Sequence, residues 1–232
     1  MSSFNLAVLL SGYGSNLQAV LDAAAKGIIV NLNVALVISD RDNSYGLKRA
    51  KKRAIPHMKI EKSDKTGLLK TLEAYDINGI VLAGYLSILP PEVVKAYDNR
   101  IINIHPALLP LFGGMGFYGI KVHQAVLASG APYSGATAHL VDCGVDTGAA
   151  LVRGVVPVLT GDTAESLQKR VLEKEHDILI RAVKIISENK AGEMTKEPLL
   201  LVDDKDREGF LKYTEGIPEL RDALTVAGNG GL

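Results

Sequence analysis

Short apolar runs alternate with amphipathic stretches through the first half of this chain, and that rhythm restricts its fold more than any other feature. Leu6–Leu10 reads as a buried strand, leading through a glycine-rich turn into a helix from about Asn16 to Ala25. Val34–Ser39 is a second strand, and a helix follows around Leu47–Ala54. Pro56–Ile60 is a weaker third strand, and Leu68–Tyr75 carries apolar residues at helical spacing. Ile80–Tyr85 and Ile101–Ile104 are two more strands, separated by a short helix that Pro90 and Pro91 would start.

After Pro110 the rhythm changes. Leu111–Gly119 holds four glycines and no regular period, as expected of a loop that can move. A helix follows around Val122–Ser129. Ala136–Val141 and Leu151–Val158 are strands joined by Asp142–Ala150, a connection too short for a crossover helix, so the pair should be antiparallel. Asp162, with Glu165 three residues on, marks the start of a long helix reaching Ile186. Its apolar face carries Leu167, Val171, Ile178, Ala182 and Ile185. Strands apolar on both faces must be covered from both sides. The pattern therefore predicts an α/β, Rossmann-like open sheet, mostly parallel with an antiparallel C-terminal hairpin, and helices on both faces. Residues 1–201 are expected to form the domain. Residues 202–232 read as a charged, mixed tail ending in Gly228-Asn229-Gly230-Gly231.

Bulk properties narrow the function classes. The 232 residues carry 26 Lys+Arg against 26 Asp+Glu, which removes any global electrostatic case for nucleic acid or anionic membrane. The lone cysteine, Cys143, cannot close an internal disulfide and suits a reducing compartment. No signal peptide is visible, and no apolar run approaches the roughly 20 residues that span a bilayer. The expected setting is the cytoplasm.

Two segments carry chemistry. Ser11-Gly12-Tyr13-Gly14-Ser15-Asn16 lies between a strand and a helix, where backbone N–H groups and a helix dipole can hold an anion, usually phosphate. A dinucleotide fingerprint wants a third glycine where Leu17 stands, although Asp40 could serve as its ribose-binding acid. A Walker loop fails, because no Gly-Lys-Ser/Thr follows, and an ordinary capped turn stays open. The second segment is Asn103-Ile104-His105-Pro106. Period 2 puts Asn103 and His105 on one face near the carboxyl end of a strand, the edge where open α/β sheets bind ligands. An amide beside an imidazole suits a reaction in which a carbonyl oxygen gains negative charge. A histidine satisfied by backbone at a strand end is the alternative. Asp146 lies in the turn-rich stretch Cys143–Gly148, where aspartate is common for local reasons.

Four segments, in this order, resemble the phosphoribosylglycinamide formyltransferases: Gly12–Gln18, Leu82-Ala83-Gly84-Tyr85, Asn103–Pro110 and Gly135–Gly148. The similarity runs from about Leu6 to Asn189. It implies formyl transfer from 10-formyltetrahydrofolate to the amine of glycinamide ribonucleotide in purine synthesis, with residues 1–201 as the formyltransferase domain. By that resemblance Asn103 and His105 hold the formyl oxygen, and Asp146 supports His105 and organises a proton-relaying water. Gly14, Ser15 and Asn16 match the substrate-phosphate loop, and Glu175 the acid near the ribose and amine. Leu86, Ser87, Leu89 and Val141–Asp146, including Asp142, match the segments that wrap the pterin. Partners implied are small molecules, with no nucleic acid or membrane, and a monomer or homodimer. Three features depart from the family pattern: Ser87 replaces a longer, often basic residue, the Leu111–Gly119 loop is longer and richer in glycine, and the tail after Val202 has no counterpart.

The remaining polar residues read as structural. His123 and His139 suit packing or local hydrogen bonds, and His57 and His176 are ordinary. Lys48, Arg49, Lys51, Lys52 and Arg53 form a solvated basic face, Cys143 packs, and no spaced ligand set suggests a metal. Related readings fit less well. A transfer-RNA formyltransferase normally adds a nucleic-acid-binding domain, a formyltetrahydrofolate hydrolase an N-terminal regulatory domain, and sugar-nucleotide formyltransferases lack this Gly-Ser-Asn loop. A dinucleotide oxidoreductase or a non-catalytic nucleotide-binding module leaves Asn103, His105 and Asp146 unexplained.

Overall fold

The computed structural model describes residues 3–61, 64–189, 191 and 198–225. In chain order the elements are β1 Phe4–Leu10, α1 Ser15–Ala25, β2 Leu32–Ser39, α2 Tyr45–Lys52, β3 His57–Lys59, α3 Lys65–Ala74, β4 Gly79–Leu82, α4 Pro91–Ala96, β5 Ile101–His105 and α5 Ile120–Ala128. They continue with β6 Tyr133–Leu140, β7 Ala150–Pro157, α6 Ala164–Ser187, β8 Leu199–Leu201, α7 Asp204–Glu215 and α8 Pro218–Thr225. The strands join in one eight-stranded sheet, ordered β3-β2-β1-β4-β5-β6-β7-β8. β6 is antiparallel to both β5 and β7, and every other neighbouring pair is parallel.

Alternation along β1 shows why its sequence is apolar from Leu6 to Leu10. Leu6, Val8 and Leu10 enter the core beneath α1, α5 and α6, while Ala7 and Leu9 enter a second core with Leu68 and Leu72 of α3 and Val93 and Val94 of α4. Each strand residue is thus covered whichever way it points. The sheet, its parallel body and the antiparallel β6–β7 hairpin agree with the expected architecture. The Gly228–Gly231 stretch lies outside the described residues.

The start of α6 differs from expectation. Its cap is Thr163, whose Oγ1 accepts the Ser166 N–H while the Ser166 hydroxyl accepts the Thr163 N–H. Asp162 instead receives both Arg170 guanidinium nitrogens at 2.8 Å, which holds its carboxyl well below the usual carboxylate range. A short hydroxyl at position 166 completes the box that a Glu or Gln would otherwise supply. Thr163→Ala should therefore lower stability to chemical denaturation by about 1 kcal/mol. An unchanged midpoint would mean that the cap adds nothing to a helix already held by its buried face.

Candidate active site

β5 delivers Asn103 and His105 to the carboxyl edge of the sheet, on the face opposite Ile102 and Ile104. Its antiparallel partner β6 sets His139 directly across from Asn103, and Thr137 across from His105. The β6–β7 ladder slips at Ala138/His139, a bulge of the kind that re-aims side chains beside active sites. Asp146 closes the group from the β6–β7 loop. Its own φ is 58°, a left-handed conformation that a non-glycine residue adopts only when its surroundings enforce it. Part of that enforcement comes from Gly148, where a Cβ would collide with the Leu140 carbonyl oxygen, so the loop can fold this tightly only with glycine there.

One carboxylate gathers the donors. Asp146 Oδ1 accepts from Asn103 Nδ2 at 3.2 Å and lies 3.6 Å from His139 Nε2. Its Oδ2 accepts from the Gly114 N–H at 3.0 Å and lies 3.3 Å from His105 Nδ1. Burial alone would raise the Asp146 pKa. The His139 ring, the His105 ring and the Gly114 amide outweigh burial and hold it below the ordinary value. Asn103 Nδ2 also reaches His139 Nε2 at 3.0 Å, and His139 Nδ1 contacts the Leu140 carbonyl. With Nδ1 protonated, Nε2 accepts from Asn103; with Nε2 protonated, it faces Asp146 as a donor.

His105 faces two acceptors, Asp146 on Nδ1 and the Phe112 carbonyl on Nε2 at 2.8 Å. A neutral ring carries only one N–H, so imidazolium alone satisfies both. Burial opposes that charge and wins: the His105 pKa lies below its usual value despite the upward pull of Asp146. Behind it, His123 is depressed to about 4, first by burial and then by repulsion from His105.

The group opens into a cleft of about 620 Å³, walled by Leu86, Leu89 and Val141, with Ser87, Asp142 and the 114–119 loop at its sides. That size and mixed lining are ordinary for a small-molecule site. Ser87 donates to buried Asp40 at 2.6 Å, and the Leu86 N–H donates to Ser11 Oγ at 2.9 Å. The Ser87 hydroxyl therefore anchors the cleft wall to the residue that follows β2. Gly14, Ser15, Asn16 and Glu175 form a neighbouring group instead. Gly14, at φ 74°, precedes α1 without a side-chain cap, leaving the first amides of the helix for another acceptor. Asn16 donates to Glu175 at 2.8 Å. Ser11, Gly12 and Tyr13 border a smaller depression of about 350 Å³, and Arg41 lines both it and the cleft.

Several residues stand differently from expectation. Arg49 is not a freely solvated charge: its guanidinium lies 4.6 Å from the Tyr13 ring centre and bonds the Tyr13 carbonyl and Gln18. An aromatic face and two acceptors hold it more favourably than water alone. Cys143 is exposed on the cleft rim, because the loop turns outward before Asp146 turns in. His139, expected to pack or bond locally, does both and also sits within the Asn103–Asp146 group. Its signal in the sequence was its place on the strand returning beside β5. Phe112 and Gly114 contribute backbone atoms alone, which no residue pattern announces. Among the described residues no cluster of His, Cys, Asp or Glu could hold a metal, and no helix is long and apolar enough to cross a membrane.

Glu175 carries a pH signature. Burial pushes its carboxyl up from 4.5 to about 7, against the opposing pull of the Asn16 amide. The folded form then binds more protons than the unfolded form between those values, so stability falls as pH rises through that window. Glu175→Gln should remove this fall, gaining on the wild type between pH 4.5 and about 7 in thermal or chemical unfolding. Parallel pH profiles would show that the carboxylate is not desolvated.

The family profile described as formyl transferase matches residues 4–183. The chloroplastic phosphoribosylglycinamide formyltransferases of Vigna unguiculata and Arabidopsis thaliana are 41% and 42% identical over 80% of this chain, which spans 61% and 66% of their lengths. The phosphoribosylglycinamide formyltransferase of Haemophilus influenzae is 34% identical over 86% of this chain and 94% of its own. The glycinamide ribonucleotide transformylase 1 of Symbiobacterium toebii superposes with a TM-score of 0.75 at 37% identity, covering 81% of this chain and 89% of that one. By the profile match over most of its length and these relatives, the chain belongs to the phosphoribosylglycinamide formyltransferase family.

Proposed function

We propose that this protein transfers a formyl group from 10-formyltetrahydrofolate to the amine of glycinamide ribonucleotide in de novo purine biosynthesis. The observation that carries this is the convergence of an amide, two imidazoles and one carboxylate at the mouth of an apolar-walled cleft. The amine attacks the formyl carbon and a new C–N bond forms. The carbonyl oxygen becomes an oxyanion, the bond to folate N10 breaks, and the proton lost by the amine ends on N10. No covalent enzyme intermediate is required.

Asn103 and His105 act as donors to the oxyanion. In the free protein their N–H groups are engaged by His139, Asp146 and the Phe112 carbonyl. An oxyanion is a stronger acceptor than a neutral carbonyl or ring nitrogen and displaces them. Asp146 keeps its charge near His105, offsets the burial cost of imidazolium and passes the amine proton onward through water. The apolar walls at Leu86, Leu89 and Val141 suit a flat pterin ring, with Ser87 and Asp142 beside its polar edge. Gly14, Ser15 and Asn16 take the substrate phosphate on the uncapped start of α1, and Glu175 meets the ribose and amine region. Residues 1–201 form the formyltransferase domain, and 202–232 is an appended segment. The protein works in the cytoplasm on small molecules, as a monomer or homodimer, without a metal.

Separate substitutions divide these roles. His105→Ala should lower kcat by roughly 10² or more with KM for both substrates nearly unchanged. Equal weakening of both KM values would make His105 a structural residue. Ser15→Ala with Asn16→Ala should instead raise KM for the ribonucleotide and leave that for the folate in place. An unaltered ribonucleotide KM would remove the phosphate from α1.

A further inference from the structure

β8, α7 and α8 lie beyond residues 4–183, the part matched by the family profile, yet they pack against the ground on which His105 stands. β8 adds a parallel strand to β7, pairing Arg153 with Leu200. Lys174 on α6 bonds Asp203 at the start of α7. Phe210 and Leu220, both 0% exposed, share one apolar cluster with Leu108 and Val155, and Leu111 packs against it. The Tyr133 ring meets Phe210 edge-on at 5.5 Å.

Leu108 and Leu111 flank the turn that leads from His105 into the glycine-rich loop. The next residue, Phe112, gives its carbonyl to His105, and Gly114 gives its amide to Asp146. Phe112 holds φ at 53°, a strained conformation that its surroundings must maintain. The other side of the turn is tied down as well. Thr137 Oγ1 donates to the Ala107 carbonyl at 2.7 Å and accepts the Leu109 N–H at 3.0 Å. Arg153 Nε donates to the Leu109 carbonyl at 3.3 Å. Arg153 is 6% exposed and its Nη1 has no hydrogen-bond partner, so a costly buried cation has this turn as its hydrogen-bonded anchor.

We propose that α7 and α8 clamp residues 107–111, with Phe210 and Arg153 as positioning residues that keep Phe112 and Gly114 seated on the His105–Asp146 pair. The clamp does not touch substrate. It sets how well the catalytic donors are aligned, and misplacement of about 1 Å at such a site can cost roughly 10²-fold in rate. The kinetic part rests on the formyl-transfer function proposed above, and the exchange part does not.

The test is Phe210→Ala in the full chain, compared with Leu6→Ala, which empties a buried site on the central strand β1, in a different apolar cluster from Phe210. Hydrogen exchange at the Gly114 amide is read without substrate, and kcat and KM are read with both substrates. In Phe210→Ala, Gly114 exchange should speed up and kcat should fall, each about tenfold or more, with both KM values held. Leu6→Ala should lose stability without either effect, and Phe210→Leu should restore both. Arg153→Lys, which keeps the charge but loses Nε, should repeat the pattern more weakly. Should Phe210→Ala fail to fold, Leu220→Ala is read in its place. Unchanged Gly114 exchange or unchanged kcat in the folded variant overturns the clamp. A wild type without formyl transfer overturns the proposed function instead, leaving Gly114 exchange to judge the clamp alone.

Discussion

The Asp146 carboxylate is the node on which the site depends. It joins three stretches far apart in sequence: the end of β5 through Asn103 and His105, β6 through His139, and the glycine-rich loop through Gly114. Burying a carboxylate is unfavourable unless donors replace its water, and here every surrounding group is a donor or a potential cation. The arrangement is mutual. Without the carboxylate, the Asn103 amide and the Gly114 N–H lose an acceptor in a place where water is scarce. The left-handed backbone at Asp146 is the local strain accepted to hold that position.

Much of this was legible in the sequence, for identifiable reasons. Strands apolar on both faces can only lie inside a covered sheet, so β1, β2, β4 and β5 declared the architecture. Asn103 and His105 were readable because alternation along a strand forces them onto one face. The short Asp142–Ala150 connection announced the antiparallel hairpin that brings Asp146 back. What escaped was of another kind. Arg49 looked like one charge among five on a helix, and only the fold brings Tyr13 against it. Phe112 and Gly114 act through peptide groups, which every residue possesses. Thr163 displaced Asp162 as the cap because the Arg170 guanidinium competes for the aspartate.

The two halves of the site are built separately and tied together. The start of α1 offers amides, and the far cleft offers apolar walls with a polar mouth. Ser11 links them: its own N–H donates to the Gly84 carbonyl, and its hydroxyl accepts from Leu86. Asp40, the residue that a dinucleotide would use for its ribose, instead receives the Ser87 hydroxyl. The acid at the end of β2 therefore serves the cleft wall.

The most direct test of the central claim is a spectrophotometric assay of 10-formyltetrahydrofolate consumption, run with and without glycinamide ribonucleotide, beside an Asp146→Asn variant. Consumption should require the ribonucleotide and collapse in the variant, whose neutral amide cannot offset the burial cost of protonating His105. Consumption without the ribonucleotide would make the protein a hydrolase, and a fully active variant would contradict the role given to the carboxylate.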